Sequence, residues 1–275
     1  FNQLQEMVSQ LKHKQLLNPQ MTTYLSNVKV NILTFCKGQS SFYGNSLIFK
    51  TLRVGFPNAE IFVYDNASPH LFSEKIKVLS EENDCHFARL ETEINHHAFI
   101  DTIISNNKDN EDIVFLDPDL CFWENCENWR FDSLLAGRLI PRFYDEFSGC
   151  ITHPRVHTSF LWVPKPKELL GEINKLIKFE YQPFQPYMYF LENKWFRYDT
   201  LSSLYSVFNE RIKTFNEKEL NSYDHLFCGT HLDLVKDYLN DDGQLNDIHD
   251  KAKKDYKLIK GIWREQEKHF TDRSI

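Results

Sequence analysis

Four short apolar runs, each separated from the next by a helix-length segment, set the first limit on how this chain folds. Residues 28–35, 61–64, 85–90 and 113–116 read as strands. Between them Leu47, Ile48 and Leu52 mark a helix that stops at Gly55-Phe56-Pro57-Asn58. Phe72, Ile76 and Leu79 mark a second helix, and Ile100, Ile103 and Ile104 a third. Strands joined through helices pair in parallel, because a crossover is too long for a hairpin. The predicted class is therefore α/β with a mostly parallel sheet flanked by helices. Ligands in such sheets gather beyond the carboxyl ends of the strands. Two polar clusters stand at such ends, Asp65-Asn66-Ala67-Ser68 and Asp117-Pro118-Asp119, and are predicted to face one crevice.

The remainder is less regular. Residues 139–143 and 159–163 read as strands, while Leu169, Ile173 and Leu176, then Leu201, Leu204, Tyr205 and Phe208, mark helices. Residues 1–27 read as a polar helical extension and 241–275 as a helical tail. With 23 Phe, 12 Tyr and 5 Trp the chain is too aromatic for a disordered one, and 9 Gly and 10 Pro are too few for a low-complexity one. At 275 residues it suits one domain of two abutting halves. No apolar run approaches the roughly 18 residues of a spanning helix. A net charge of −7 argues against general nucleic-acid binding. Six cysteines without C-x-x-C spacing read as reduced thiols of a cytoplasmic protein. The chain begins at Phe1 and lacks the layout of a secretory signal, so a trimmed start is expected.

Two carboxylates at i and i+2 after a buried strand, Asp117 and Asp119, can share one hard cation such as Mg²⁺ or Mn²⁺. The same residues also suit a plain strand-ending turn. Asp65 can accept hydrogen bonds from a nucleobase or ribose, and Ser68 suits the N-cap of a helix beginning near Pro69.

These two elements, in this order, resemble those of nucleotide-sugar glycosyltransferases of the GT-A fold, the inverting family 2-like members in particular. There a D-N-A-S segment ends the second strand and a D-x-D segment the fourth. The likeness covers residues 28–125 well and the rest in outline. It implies a GT-A-like fold, with 28–130 as a nucleotide-sugar-binding half and 131–240 as an acceptor-binding half. The implied reaction moves a sugar from a nucleoside-diphosphate sugar to a hydroxyl of a glycan or other acceptor, with inversion and a divalent cation on the diphosphate.

The resemblance also implies roles. Asp65 would hold the base or ribose, Asp117 the ribose or a metal-bound water, and Asp119 the metal. Lys37 would approach the nucleotide, and His157 or Arg155 sugar hydroxyls or diphosphate oxygens. A histidine ligand would come from His225 or His231, between which the sequence does not choose. His96 and His97 would open a helix near the crevice. The base that takes the acceptor proton would be Asp199, which equally suits an N-cap, with Asp145 and Glu146 as competitors. The family's acidic doublet is missing, since Tyr198 precedes Asp199.

Two other functions compete. A haloacid-dehalogenase-type phosphotransferase would use Asp117 as nucleophile, but its motif normally lies near the start of the chain, and Asp65-Asn66-Ala67-Ser68 would go unexplained. A catalytically inactive binding module of the same fold would not need both Asp117 and Asp119.

Overall fold

The computed structural model describes residues 26–107, 111–145, 148–176 and 183–225. The expected tail helix, the leading extension up to residue 25, Glu146 and His231 lie outside them. The four expected strands are β1 (Val28–Thr34), β2 (Glu60–Asp65), β3 (His86–Arg89) and β4 (Asp112–Leu116). Helices α1 (Gln39–Ser46), α2 (His70–Glu82) and α3 (His96–Ser105) fall between them. The chain continues through β5 (Leu120–Phe122), β6 (Leu135–Ile140), β7 (Phe143–Asp145), β8 (Cys150–Thr152) and β9 (Arg155–Val163). Then come α4 (Pro166–Leu176), β10 (Tyr187–Leu191), β11 (Lys194–Tyr198), α5 (Ser202–Phe208), β12 (Ile212–Thr214) and β13 (Tyr223–His225).

A seven-stranded sheet runs in the order β12-β6-β9-β4-β1-β2-β3. Both pairs made by β9 are antiparallel and the other four are parallel, so β9 alone runs against the rest. This is the mostly parallel α/β sheet expected of a GT-A-like chain. The order reverses at β1, with β2 on one side and β4 on the other, which makes the carboxyl ends of these strands the ligand-binding edge. Both sheet faces are covered. Ile113 and Phe115 of β4 pack with Phe62, Tyr64, Phe99 and Ile103 on one side. Val114 and Leu116 pack with Val30, Ile32, Val63 and Trp162 on the other. A strand covered on both faces needs apolar residues at every position, which is why these runs do not alternate with polar ones.

Four local expectations change. The single helix expected around Leu47, Ile48 and Leu52 is broken: α1 ends at Ser46, Leu47–Lys50 is a 3-10 turn and Leu52–Gly55 a further short helical turn, while Ser41 Oγ accepts from the backbone N–H groups of Lys37 and Gly38 at the start of α1. The strand expected at 139–143 lies at 135–140 and ends before Pro141, where buried Leu135 and Ala136 pair with neighbouring strands. Ser68 does not cap α2. Pro69 occupies the cap position, and Ser68 Oγ accepts from Cys36 N–H at 2.9 Å. Asp199 does not cap α5, which begins after Leu201 in a left-handed conformation (φ 69°).

A four-stranded sheet, β10-β11-β8-β7, was not foreseen. Its β10–β11 hairpin turns on Glu192 and Asn193 with φ of 49° and 59°. Positive φ at both turn residues matches the twist of the strands it joins. Tyr187 stacks on Tyr198 and Tyr189 on Phe196 across the hairpin, with centroids 4.8 and 5.1 Å apart.

Candidate active site

The Asp117-Pro118-Asp119 turn leaves β4 and is braced from three sides. Asp117 N–H donates to Ser159 C=O of β9 at 2.7 Å, and Leu120 N–H closes the turn onto Asp117 C=O. Ile48 N–H donates to Pro118 C=O at 3.2 Å. Behind it, Phe56, Phe122, Trp129, Phe160 and Tyr223 form a network of ring contacts. Edge-to-face and offset rings of this kind hold fixed geometry as well as apolar area.

His225 reaches the turn because β13 pairs antiparallel with β5, setting His225 opposite Leu120. Its Nε2 lies 3.1 Å from Asp119 Oδ1 and 3.8 Å from Asp117 Oδ2. One ligand atom each from Asp117, Asp119 and His225 can lie within 4.8 Å of one another. His96, at the start of α3, places Nε2 3.9 Å from Asp117 Oδ1. Burial pushes the Asp117 carboxyl upward; His96 opposes this, the Asp119 charge adds to it, and His225 opposes it. Burial alone would lower the His225 imidazole, but the hydrogen bond and charge of Asp119, with the charge of Asp117, raise it.

The D-N-A-S segment is a second built element. Asp65 ends β2 with its side chain fully buried, and neither carboxylate oxygen has a hydrogen-bond partner among the described residues. Arg89, its register neighbour at the end of β3, places Nε 3.6 Å from Oδ2. Asn66 bonds reciprocally with Ile94, its Oδ1 accepting from the backbone N–H and its Nδ2 donating to the C=O. Ile94 lies two residues before His96, so this bond joins the Asp65 end of the crevice to the Asp117 end. Ala67 takes φ 58°, which turns Ser68 back toward the loop after β1. Lys37, in that loop, is exposed and sits 5.0 Å from the Phe35 ring centroid.

Beyond the acids, β9 carries His157 and Arg155. The His157 ring lies 5.3 Å from that of His225, and its Nδ1 bonds Ser159 Oγ at 2.6 Å. Burial, with His225, Arg155 and Arg138, pushes the His157 imidazole down to about 3 against a smaller pull from Asp119. An imidazole held neutral in the fold and protonated near pH 6.5 when unfolded destabilises the fold as pH falls through that interval. His157→Gln in metal-free protein is therefore expected to lose less stability than the parent between about pH 6.5 and 4. Urea midpoints across that range measure it. Equal slopes would show that His157 does not govern the acid limb.

Arg155 Nη2 lies 3.0 Å from Asp199 Oδ2, and Arg197 Nη2 lies 3.5 Å from Oδ1. Asp199 Oδ1 also accepts from Thr200 N–H at 2.9 Å. Asp145 lies in the β7–β8 hairpin, where its carboxylate accepts from Ser148 Oγ at 2.7 Å. The structure thus gathers Asp117, Asp119, His225 and His157 in one cluster and links Arg155 to Asp199. Arg89 and Arg138 were missed. Arg89 was findable by extending the strand-end rule to β3, but Arg138 fell outside a strand set too late.

No protein-family model matches the chain, and no curated protein does. Among solved structures it is similar to the glycosyltransferase GlyE of Streptococcus pneumoniae TIGR4, at 11% identity over 88% of this chain and 64% of that one, with a TM-score of 0.43. It is similar to the mannosyltransferase PcManGT of Pyrobaculum calidifontis, solved with GDP-Man and Mn²⁺, at 13% identity over 62% and 54% (TM-score 0.37). It is also similar to the galactosyltransferase LgtC, solved with donor and acceptor sugar analogues, at 10% identity over 84% and 95% (TM-score 0.42). The chain therefore spans less than two thirds of GlyE and of PcManGT. Among the described residues no helix is long and apolar enough to cross a membrane.

Proposed function

We propose that this chain transfers a sugar from a nucleoside-diphosphate sugar to an acceptor hydroxyl, with help from a divalent cation. One observation carries the reading. The carboxyl edge of the sheet joins a buried Asp65 carboxylate, without a hydrogen-bond partner among the described residues, to a carboxylate–carboxylate–imidazole triad, through Asn66, Ile94 and His96.

Asp65 accepts hydrogen bonds from the base or ribose, with Arg89 beside it and Lys37 on the loop above. Two carboxylate oxygens and one imidazole nitrogen fit Mn²⁺ or Mg²⁺, with positions left for phosphate oxygens. Asp117, Asp119 and His225 would hold this ion, with His231 the remaining candidate. The ion supplies Lewis-acid stabilisation of charge on the diphosphate. His157, neutral and bonded to Ser159, lines the donor side beside the triad. On the acceptor side Asp199, oriented by Arg155 and Arg197, takes the hydroxyl proton, with Asp145 as the alternative. A single displacement assisted by Asp199 inverts the anomeric centre.

Melting curves with UDP and with GDP, each with and without Mn²⁺, test the reading. A nucleotide that binds only the folded state raises the midpoint, and here the rise is expected to need Mn²⁺. No shift with either nucleotide under either condition would sink it.

A further inference from the structure

One end of the crevice leaves a buried guanidinium nitrogen without a partner among the described residues. Arg155 opens β9, one pleat further from the acidic triad than His157. Its Nη2 is engaged with Asp199, but its Nη1 is buried with no hydrogen-bond partner among the described residues. Arg197 shares the same carboxylate. Two guanidiniums therefore divide one carboxylate. A buried N–H with nothing to donate to is costly, most of all on a charged group, and calls for an acceptor. A guanidinium nitrogen makes its strongest hydrogen bonds to an oxyanion, where both partners are charged. The proposed donor diphosphate belongs at the triad, on the other side of His157.

We propose that Arg155 binds an oxyanion, a carboxylate or phosphate, carried by the acceptor, and that the crevice thereby selects acidic acceptors. This rests on the glycosyl-transfer reading. Nη2 keeps Asp199 in place while Nη1 takes the oxyanion, which brings a neighbouring acceptor hydroxyl beside the Asp199 carboxylate.

The test uses melting shifts in saturating Mn²⁺ and nucleotide, on adding glucuronate or glucose 6-phosphate, with methyl glucoside as the neutral control. The two acidic probes separate carboxylate from phosphate as the source. The parent is expected to be stabilised by at least one acidic sugar and not by the neutral one. Arg155→Gln should weaken that response by about tenfold or more in concentration while leaving the nucleotide shift intact. Equal responses to acidic and neutral sugars overturn the proposal. Loss of the nucleotide shift in Arg155→Gln also overturns it, by moving Arg155 to the donor. Breaking one side of a buried pair endangers folding, so the double variant Arg155→Gln with Asp199→Asn, which removes both charges, gives the same readout. If no nucleotide shifts the parent but the acidic sugars do so through Arg155, glycosyl transfer falls and the oxyanion site stands.

Discussion

Asp119→Asn is expected to abolish the Mn²⁺-dependent part of nucleotide stabilisation and to lower sugar transfer by about a thousandfold or more. Asp119 is buried, bonded to His225, and backed by the ring network around Phe122 and Phe160. Its geometry is fixed before any ion arrives, so little reorganisation opposes binding. The amide is nearly isosteric and its Oδ1 still accepts from the His225 ring, but the charge that attracts the cation is gone. Removing one of two adjacent carboxylates also relieves their repulsion in metal-free protein. The metal-free midpoint should therefore stay within a few degrees of the parent or rise. Calorimetry with and without Mn²⁺, together with release of nucleoside diphosphate, reads both effects. Unchanged Mn²⁺ dependence in this variant would remove Asp119 from the metal site.

Asp65→Asn should weaken nucleoside-diphosphate binding by about ten- to a hundredfold and raise the melting midpoint of the ligand-free protein. A fully buried carboxylate with no hydrogen bond to either oxygen among the described residues is poorly compensated by one half-exposed guanidinium 3.6 Å away. Making it neutral removes that cost. Arg89 loses its partner cheaply because it reaches water. The same change removes charge-assisted hydrogen bonds to the nucleoside, each worth roughly 1.5–3 kcal/mol. Opposite signs on stability and binding are what a group kept for function predicts. Titration calorimetry with UDP and GDP, beside ligand-free melting, reads the pair. A variant both less stable and unimpaired in binding would make Asp65 a structural residue.

The parallel half of the sheet was legible because a strand covered on both faces leaves a continuous apolar run, as in Ile113, Val114, Phe115 and Leu116. The strand-end rule then located Asp65, Asp117 and Asp119 with no need of side-chain geometry. Other features depended on pairing between distant segments. His225 reaches Asp119 only through the β5–β13 register, and β5 has just three residues. Sequence therefore could not separate His225 from His231. Ser68 and Asp199 read as caps because their residue types favour caps, yet tertiary partners won: Cys36 N–H took the Ser68 hydroxyl, and Arg155 took the Asp199 carboxylate. The β10–β11 hairpin was hidden for another reason. Tyr187, Met188, Tyr189, Phe190 and Leu191 show no polar alternation, so the run has no period-two signature.

That hairpin has a consequence for the chain in solution. β10 ends the four-stranded sheet, so one row of its backbone groups is not paired within it. Met188, Phe190 and Leu191 of this strand lie exposed. An apolar edge strand is a template for strand addition between molecules, and no charged side chain interrupts Tyr187–Leu191. Concentration-dependent association should therefore begin here rather than at β3, where His86 and Arg89 make the other sheet's edge more polar. Handling at high concentration would be governed by this strand, independently of the chemistry at the crevice.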